Sequence, residues 1–170
     1  MKTIWTIGHA THAAEEFTEM LQSFQIETLV DIRSLPGSNK FPQFNKENLK
    51  LTLPHSGIQY MHLVNLGGLR KTKKGSHNTG WRLASFRGYA DYMETPEFFT
   101  AIHKLESIAS KSRTAIMCAE VLWWRCHRSL VSDFLKLNGW KVMHIMAAGK
   151  ASEHTYTKPA IITNNKLTYP

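Results

Sequence analysis

Thr3-Ile4-Trp5-Thr6-Ile7, followed by Gly8-His9, and then Thr28-Leu29-Val30-Asp31-Ile32-Arg33 decide how this chain folds. Both are short runs rich in β-branched and aromatic residues, bounded by turn formers, and read as strands. Between them Phe17, Met20, Leu21 and Phe24 recur at helical spacing, with Glu15, Glu16 and Glu19 on the other face. Thr11 is the expected cap of that helix, because its hydroxyl can accept from the free amides of a first turn. Strand, helix and strand in this order make a βαβ unit.

Further along the chain, Asn45 to His55 reads as a second helix, with Leu49 and Leu53 on its apolar side and Pro54 and Gly57 as breakers. Ile58 to Val64 reads as a third strand, ending at Gly67-Gly68. Residues 68–88 show no apolar period and are expected to form a long basic loop. Thr95-Pro96-Glu97 combines a cap, a proline at the first helical position and an acid in the first turn. Thr114 to Cys118 is a buried-type strand. A helix opening at Arg125 or Cys126 follows, carrying Leu130, Val131, Phe134, Leu135 and Leu137 and closed by Asn138-Gly139. Val142 to Met146 is another strand, and Ala160 to Tyr169 a hairpin turning at Asn164-Asn165. The expected fold is therefore a single α/β domain over 1–170, Rossmann-like, with a mainly parallel sheet and helices on both faces. A small C-terminal hairpin belongs to an extension, 147–170, that packs on it.

Composition narrows the class. The chain has 170 residues, 42% of them hydrophobic and 20% charged, which excludes a disordered polyelectrolyte. No apolar run approaches the ~18 residues of a bilayer span, and the N-terminus runs straight into a strand pattern rather than a signal peptide. Only two cysteines occur, Cys118 and Cys126, so a secreted disulfide scaffold is excluded. A cytoplasmic protein with no membrane partner is expected.

The net charge is +8, and it is unevenly placed. No acid occurs between Glu47 and Asp91, whereas Lys50, Arg70, Lys71, Lys73, Lys74, Arg82 and Arg87 all do. Such a stretch points to an anionic partner, most simply phosphate, against the plainer reading of a solvated surface loop.

Ligands of open parallel sheets sit beyond the carboxyl ends of the strands, and that is where the reactive residues fall. His9 follows the first strand, Asp31 and Arg33 end the second, and Cys118 and Glu120 end the fourth. The sharpest feature is Cys118-Ala119-Glu120-Val121-Leu122-Trp123-Trp124-Arg125-Cys126-His127-Arg128. Its last four residues would meet a helix N-terminus, whose amides and dipole favour an anion and lower a thiol pKa. Candidate catalytic residues are Cys118, Glu120, Cys126 and His9. Candidate anion or substrate ligands are Arg33, Arg87, Arg125, His127, Arg128, Asp31 and Asn45. The plainer alternatives are a buried hydrophobe for Cys118, a structural ion pair for Asp31 and Arg33, and a counter-ion for Glu120. Trp123 and Trp124 can stack a base or merely pack. Six residues separate Cys118 from Arg125, one too many for a Cys-x5-Arg phosphatase loop. The Gly-rich dinucleotide fingerprint and the Gly-Lys-Ser/Thr phosphate loop are absent. No cofactor is expected; zinc at Cys118, Cys126, His127 and His9 is disfavoured because Cys-x7-Cys-His is not an established ligand spacing.

The ordered set Thr6-Ile-Gly-His9, Val30-Asp-Ile-Arg-Ser34, Phe44-Asn45, Tyr60-Met-His62, Leu66-Gly-Gly68, Phe86-Arg-Gly88, Thr95-Pro-Glu-Phe98 and Cys118-Ala-Glu120 through Cys126-His-Arg128 resembles a bacterial and archaeal family. It is the family catalogued as domain of unknown function 488. The resemblance implies a compact α/β domain and a site built from the matching motif residues, and it supplies no reaction. Three functions are expected in order. First comes an enzyme, a hydrolase or transferase, on a phosphate-bearing nucleotide or nucleic acid. A non-catalytic nucleic-acid-binding module for DNA repair or modification follows, then a cysteine-based redox or sulfur-handling protein.

Overall fold

The computed structural model describes residues 2–170. Its elements are β1 (Thr3–Gly8), α1 (Ala14–Ser23), β2 (Thr28–Asp31), α2 (Lys46–Thr52), β3 (Gln59–His62), α3 (Ala84–Tyr92) and α4 (Pro96–Lys111). They continue with β4 (Thr114–Cys118), α5 (Arg128–Leu137), β5 (Lys141–Ala147), β6 (Lys150–Glu153), β7 (Ile161–Thr163) and β8 (Lys166–Thr168). Six strands form one sheet in the order β3-β2-β4-β1-β5-β6, and β7 and β8 pair separately. The first five run parallel; β6 returns antiparallel on β5. The fold is a mixed α/β architecture with a mostly parallel sheet and a small C-terminal hairpin.

Strand alternation sends successive side chains to opposite faces, and each face carries its own core. Ile4, Val30, Ile32 and Ile116 meet Tyr89 of α3, Phe98, Ile102 and Leu105 of α4, and Leu130 and Val131 of α5. Trp5, Ile7, Leu29, Ala115 and Met117 meet Phe17, Met20 and Leu21 of α1 and Leu49 of α2. Cys118 has the parity of Ile116, so it ends on the α5 face. β4 lies between β1 and β2, although the chain reaches it last of the three. Their carboxyl ends form the crevice where a ligand of such a sheet sits.

The local chemistry explains most element ends. Thr95 Oγ1 accepts from Phe98 N at 3.3 Å at the start of α4. Asn164 and Asn165 carry φ of 50° and 62°, the consecutive left-handed pair of a tight hairpin turn. Thr11 does not cap α1: the helix starts at Ala14, after Ala13, with no side-chain cap. His12 N instead closes a turn on His9 O at 3.1 Å, and the His12 ring pairs with Glu16 across the first helical turn. The second helix is shorter than its spacing suggests, giving way to a 3-10 turn over Leu53–Ser56. The irregular basic stretch ends at Leu83, since 84–88 begin α3, whose Tyr89 and Ala90 are buried against the sheet. Trp123–Arg125 form a separate 3-10 turn, and α5 opens only at Arg128. β6 was not visible in the sequence pattern because its residues, Lys-Ala-Ser-Glu, are largely exposed.

Candidate thiol site at the carboxyl edge of the sheet

Cys118, the last residue of β4, and Cys126, two residues before α5, bring their sulfurs to 2.8 Å. The thiols differ in character. Burial, with Cys126 beside it, pushes the Cys118 thiol well up. Burial also opposes ionisation of Cys126, but three groups outweigh it: the Cys118 S–H, the Arg128 guanidinium, and the Arg128 N–H, which donates to Cys126 Sγ at 3.3 Å. The Cys126 pKa falls to about 7. A thiolate at the first amides of a ten-residue helix is favoured by the same field that binds anions there.

Arg128 is 1% exposed; its Nη donors serve the loop that carries the thiols and the end of β1, while its Nε is buried with no partner among the described residues. Its Nη2 donates to Glu120 O at 2.8 Å and Val121 O at 3.2 Å, and its Nη1 donates to Thr6 Oγ1 at 3.2 Å. Gly8 makes this arrangement possible: a Cβ there would lie 1.7 Å from Glu120 O. His9 N and Ala10 N donate to Cys118 O and Ala119 O at 3.0 and 2.9 Å, fastening the same loop along the end of β1. Glu120 therefore gives Arg128 its carbonyl and not its carboxylate, which is exposed and has no partner among the described residues.

A pocket of about 300 Å³ opens over the pair, lined by Arg33, Cys118, Glu120, Cys126 and His127, with Leu35, Gly68, Leu69 and Phe86 among its other walls. His127 Nε2 donates to Ile32 O at 2.8 Å, which fixes the tautomer and leaves Nδ1 as an acceptor. Nδ1 has no partner among the described residues, yet it is not sealed from solvent. Gly68 is what keeps it open, since a Cβ at that position would sit 3.0 Å from Nδ1. Burial holds the His127 pKa down to about 4 despite the Ile32 carbonyl, so the ring is neutral at pH 7.

The other candidate ligands are mostly engaged within the protein. Arg33 Nε and Nη2 donate to Asp31 at 2.9 and 2.7 Å, Nη2 also to Phe44 O at 2.7 Å, and Nη1 to His9 Nε2 at 3.2 Å. Tyr60 O–H donates to Asp31 Oδ2 at 2.5 Å. Asp31 is thus saturated and buried, and one N–H of Arg33 Nη1 remains. His9 donates from Nδ1 to Ala10 O at 3.0 Å and stacks on Phe44, so its one lone pair is taken by Arg33. Burial lowers its pKa to about 4. Asn45 accepts from Ser38 N at 2.6 Å and ties a loop; it does not line the pocket. Arg87 donates to Trp81 O at 2.9 and 3.2 Å, and Arg125 is exposed; neither lines the pocket. No group of three or more His, Cys, Asp or Glu side chains suited to a metal occurs among the described residues.

Sequence reasoning missed a buried chain behind Arg128. Thr6 Oγ1 lies 2.6 Å from His144 Nδ1, its register neighbour on β5; His144 Nε2 lies 2.9 Å from His154 Nδ1; His154 Nε2 lies 2.8 Å from Asp133 Oδ1. The polarity follows from the ends. Arg128 can only donate and the Asp133 carboxylate can only accept, so each hydroxyl or ring between passes one hydrogen toward Asp133. Asp133 also accepts from Thr157 N, Thr157 Oγ1 and Tyr169 O–H at 3.0, 2.5 and 3.0 Å. The available signal was a histidine inside the apolar β5 pattern. A second was Glu153-His154 in a tail that otherwise looked irregular.

These histidines predict acid sensitivity. His9 and His127 titrate near 4 in the folded protein against 6.5 when unfolded, and burial with the neighbouring His154 and Arg128 takes His144 down to about 2. A depressed folded pKa means the unfolded chain binds more protons, so the stabilisation is complete above 6.5 and is lost as pH falls toward 4. Each contributes a slope of up to about 1.4 kcal/mol per pH unit. Denaturant midpoints measured from pH 7.5 down to about 5 should fall steadily; a flat profile would contradict the neutral assignments.

Fold and site together define an α/β protein with a paired-cysteine pocket at the carboxyl edge of its parallel sheet. Its residues 13–135 match the family described as Domain of unknown function DUF488, and the chain belongs to that family. No curated protein and no solved structure matches the chain. No helix among the described residues is long and apolar enough to cross a membrane.

Proposed function

We propose that this protein is a thiol-dependent enzyme in which Cys126 is the nucleophile and Cys118 the resolving thiol. The observation that carries the reading is the 2.8 Å approach of the two sulfurs, with only Cys126 tuned toward ionisation. Thiol chemistry therefore stands ahead of phosphate chemistry. The arginines expected to hold phosphate are largely spent on Asp31, Trp81 and the 120–121 carbonyls, whereas the thiols remain in a pocket of ligand size.

The reaction is thiol–disulfide exchange with a small disulfide. The Cys126 thiolate attacks one substrate sulfur, the substrate S–S bond breaks, and the leaving thiolate takes a proton from solvent. Cys118 then passes its proton, through solvent in the open pocket, to the departing substrate sulfur and attacks Cys126 Sγ. The mixed disulfide breaks, and the second substrate thiolate leaves with that proton. The substrate gains two electrons and the cysteine pair loses two, to be restored by an external dithiol. The S–S contact must shorten to the ~2.03 Å of a disulfide.

A second reading, an enzyme on a phosphate-bearing substrate, is favoured by one observation. Gly68, Leu69 and Phe86 of the acid-free segment line the pocket, and Lys71 and Lys74 beside them are exposed. In that reading Glu120 is the proton carrier and the remaining Arg33 N–H a ligand.

The test uses hydroxyethyl disulfide as substrate, with peptide mapping of the products. Wild type should yield a Cys118–Cys126 disulfide, and Cys118→Ser should accumulate the mixed disulfide on Cys126. Turnover of a phosphate ester with Cys126→Ser intact would favour the second reading instead.

A further inference from the structure

The 3-10 turn Trp123–Arg125 and the segment after His154 enclose an open cleft of about 410 Å³, separate from the thiol pocket. Trp81, Trp123, Trp124, Tyr156, Lys158 and Pro159 line it, and no carboxylate does. Trp123 is held in plane by stacking on His144 at 4.4 Å and 6°, and Trp124 stands edge-on to it at 5.5 Å and 89°. Trp124 remains 49% exposed, a large indole in water beside a cavity. Unlike the core aromatics, it gains little from its place in the fold.

Lys158 is the charged side chain in the wall of this cleft, and the exposed Glu153 just before the segment does not line it. Lys136 Nζ lies 5.4 Å from the centre of the Tyr156 ring. Arg82 and Arg125 follow Trp81 and Trp124 in the chain, are exposed, and form no ion pair among the described residues. The nearest acid along α5, Asp133, is buried and saturated by His154, Thr157 and Tyr169. An occupant must therefore combine a flat π-system with repeated negative charge.

We propose that the cleft binds an unpaired base of a single-stranded nucleic acid. The base stacks on Trp124, and the flanking phosphates meet Arg125, Lys136 and Lys158. Paired bases are already stacked on their neighbours and cannot enter, so a duplex is excluded by the same geometry. A proline-rich peptide would use the indoles but leave four cations without a counterpart. The site is independent of the thiol chemistry.

Fluorescence anisotropy of a labelled oligothymidylate of about a dozen nucleotides tests this directly. Wild type should bind it, with log affinity falling by roughly 0.7 per phosphate contact per log unit of salt. Trp124→Ala should weaken binding about tenfold or more, and Lys158→Glu should weaken it without touching an aromatic. Cys126→Ser should bind like wild type, so loss of thiol chemistry and loss of nucleic-acid binding are read separately. Any of four results overturns the proposal: no binding by wild type, equal affinity for the matched duplex, thymidine monophosphate competing as well as the strand, or unchanged affinity in both variants. Saturable binding of a proline-rich peptide with no strand binding would assign the cleft to a different partner.

Discussion

Asp133→Ala is expected to destabilise the protein by about 3–5 kcal/mol. The carboxylate is fully buried and accepts from His154, from Thr157 twice and from Tyr169. Removing it strands these donors in the interior, and each unsatisfied group costs about 1–3 kcal/mol. The damage spreads further, because hydrogen polarity along His154, His144 and Thr6 is set by Asp133 as final acceptor. The C-terminal strand pair loses an anchor in the same step, since Tyr169 follows β8 directly. Urea midpoints of Asp133→Ala and Asp133→Asn separate the contributions. Asparagine keeps one acceptor and should cost less than alanine; a loss under about 1 kcal/mol in alanine would show that the chain is not a stability element.

Cys126→Ser should leave the fold intact and lower thiol reactivity at neutral pH by about a hundredfold. The difference lies in the thiolate populations of the two cysteines. With a pKa of about 7, Cys126 is roughly half ionised at pH 7, whereas the buried Cys118 thiol, pushed well above 9.0, is ionised below about one per cent. Serine is close in size and keeps an acceptor for the Arg128 N–H, so the N-terminus of α5 stays capped. The reciprocal Cys118→Ser retains a reactive Cys126 but loses the second step. Initial rates with iodoacetamide, followed by mass spectrometry of the modified peptide, check both. Equal rates in wild type and Cys126→Ser would remove Cys126 from the nucleophile's role.

The parallel sheet was legible because its strands are continuous apolar runs separated by segments of helical apolar period. Thr95-Pro96-Glu97 and Asn164-Asn165 announce their structures by local chemistry alone. Thr11 misled because it has the right side chain two residues too early, and the 9–12 turn had already used the backbone. Helix α3 was hidden because its buried residues, Gly88 to Asp91, are consecutive and show no apolar period. At the site, spacing identified both cysteines, His127 and Arg128. The Asp31–Arg33 ion pair was among its plainer readings, but it could not reveal that Arg128 serves the 120–121 carbonyls or that Glu120 turns its carboxylate outward. Both depend on how the 119–127 loop lies against the ends of β1 and β2, where His9 N and Ala10 N hold Cys118 O and Ala119 O and His127 reaches Ile32 O. The net charge suggested an anion pocket made of arginines. The structure instead turns Arg128 inward to tune a thiol, and leaves the basic surface to the loops around it.

The most direct measurement is the pH dependence of Cys126 alkylation in the reduced wild-type protein, with both cysteines quantified separately. Cys126 should react first, with a midpoint near pH 7, while Cys118 stays protected across the same range. A midpoint at the ~8.5 of a free thiol, or Cys118 reacting as fast as Cys126, would contradict the paired-thiol site.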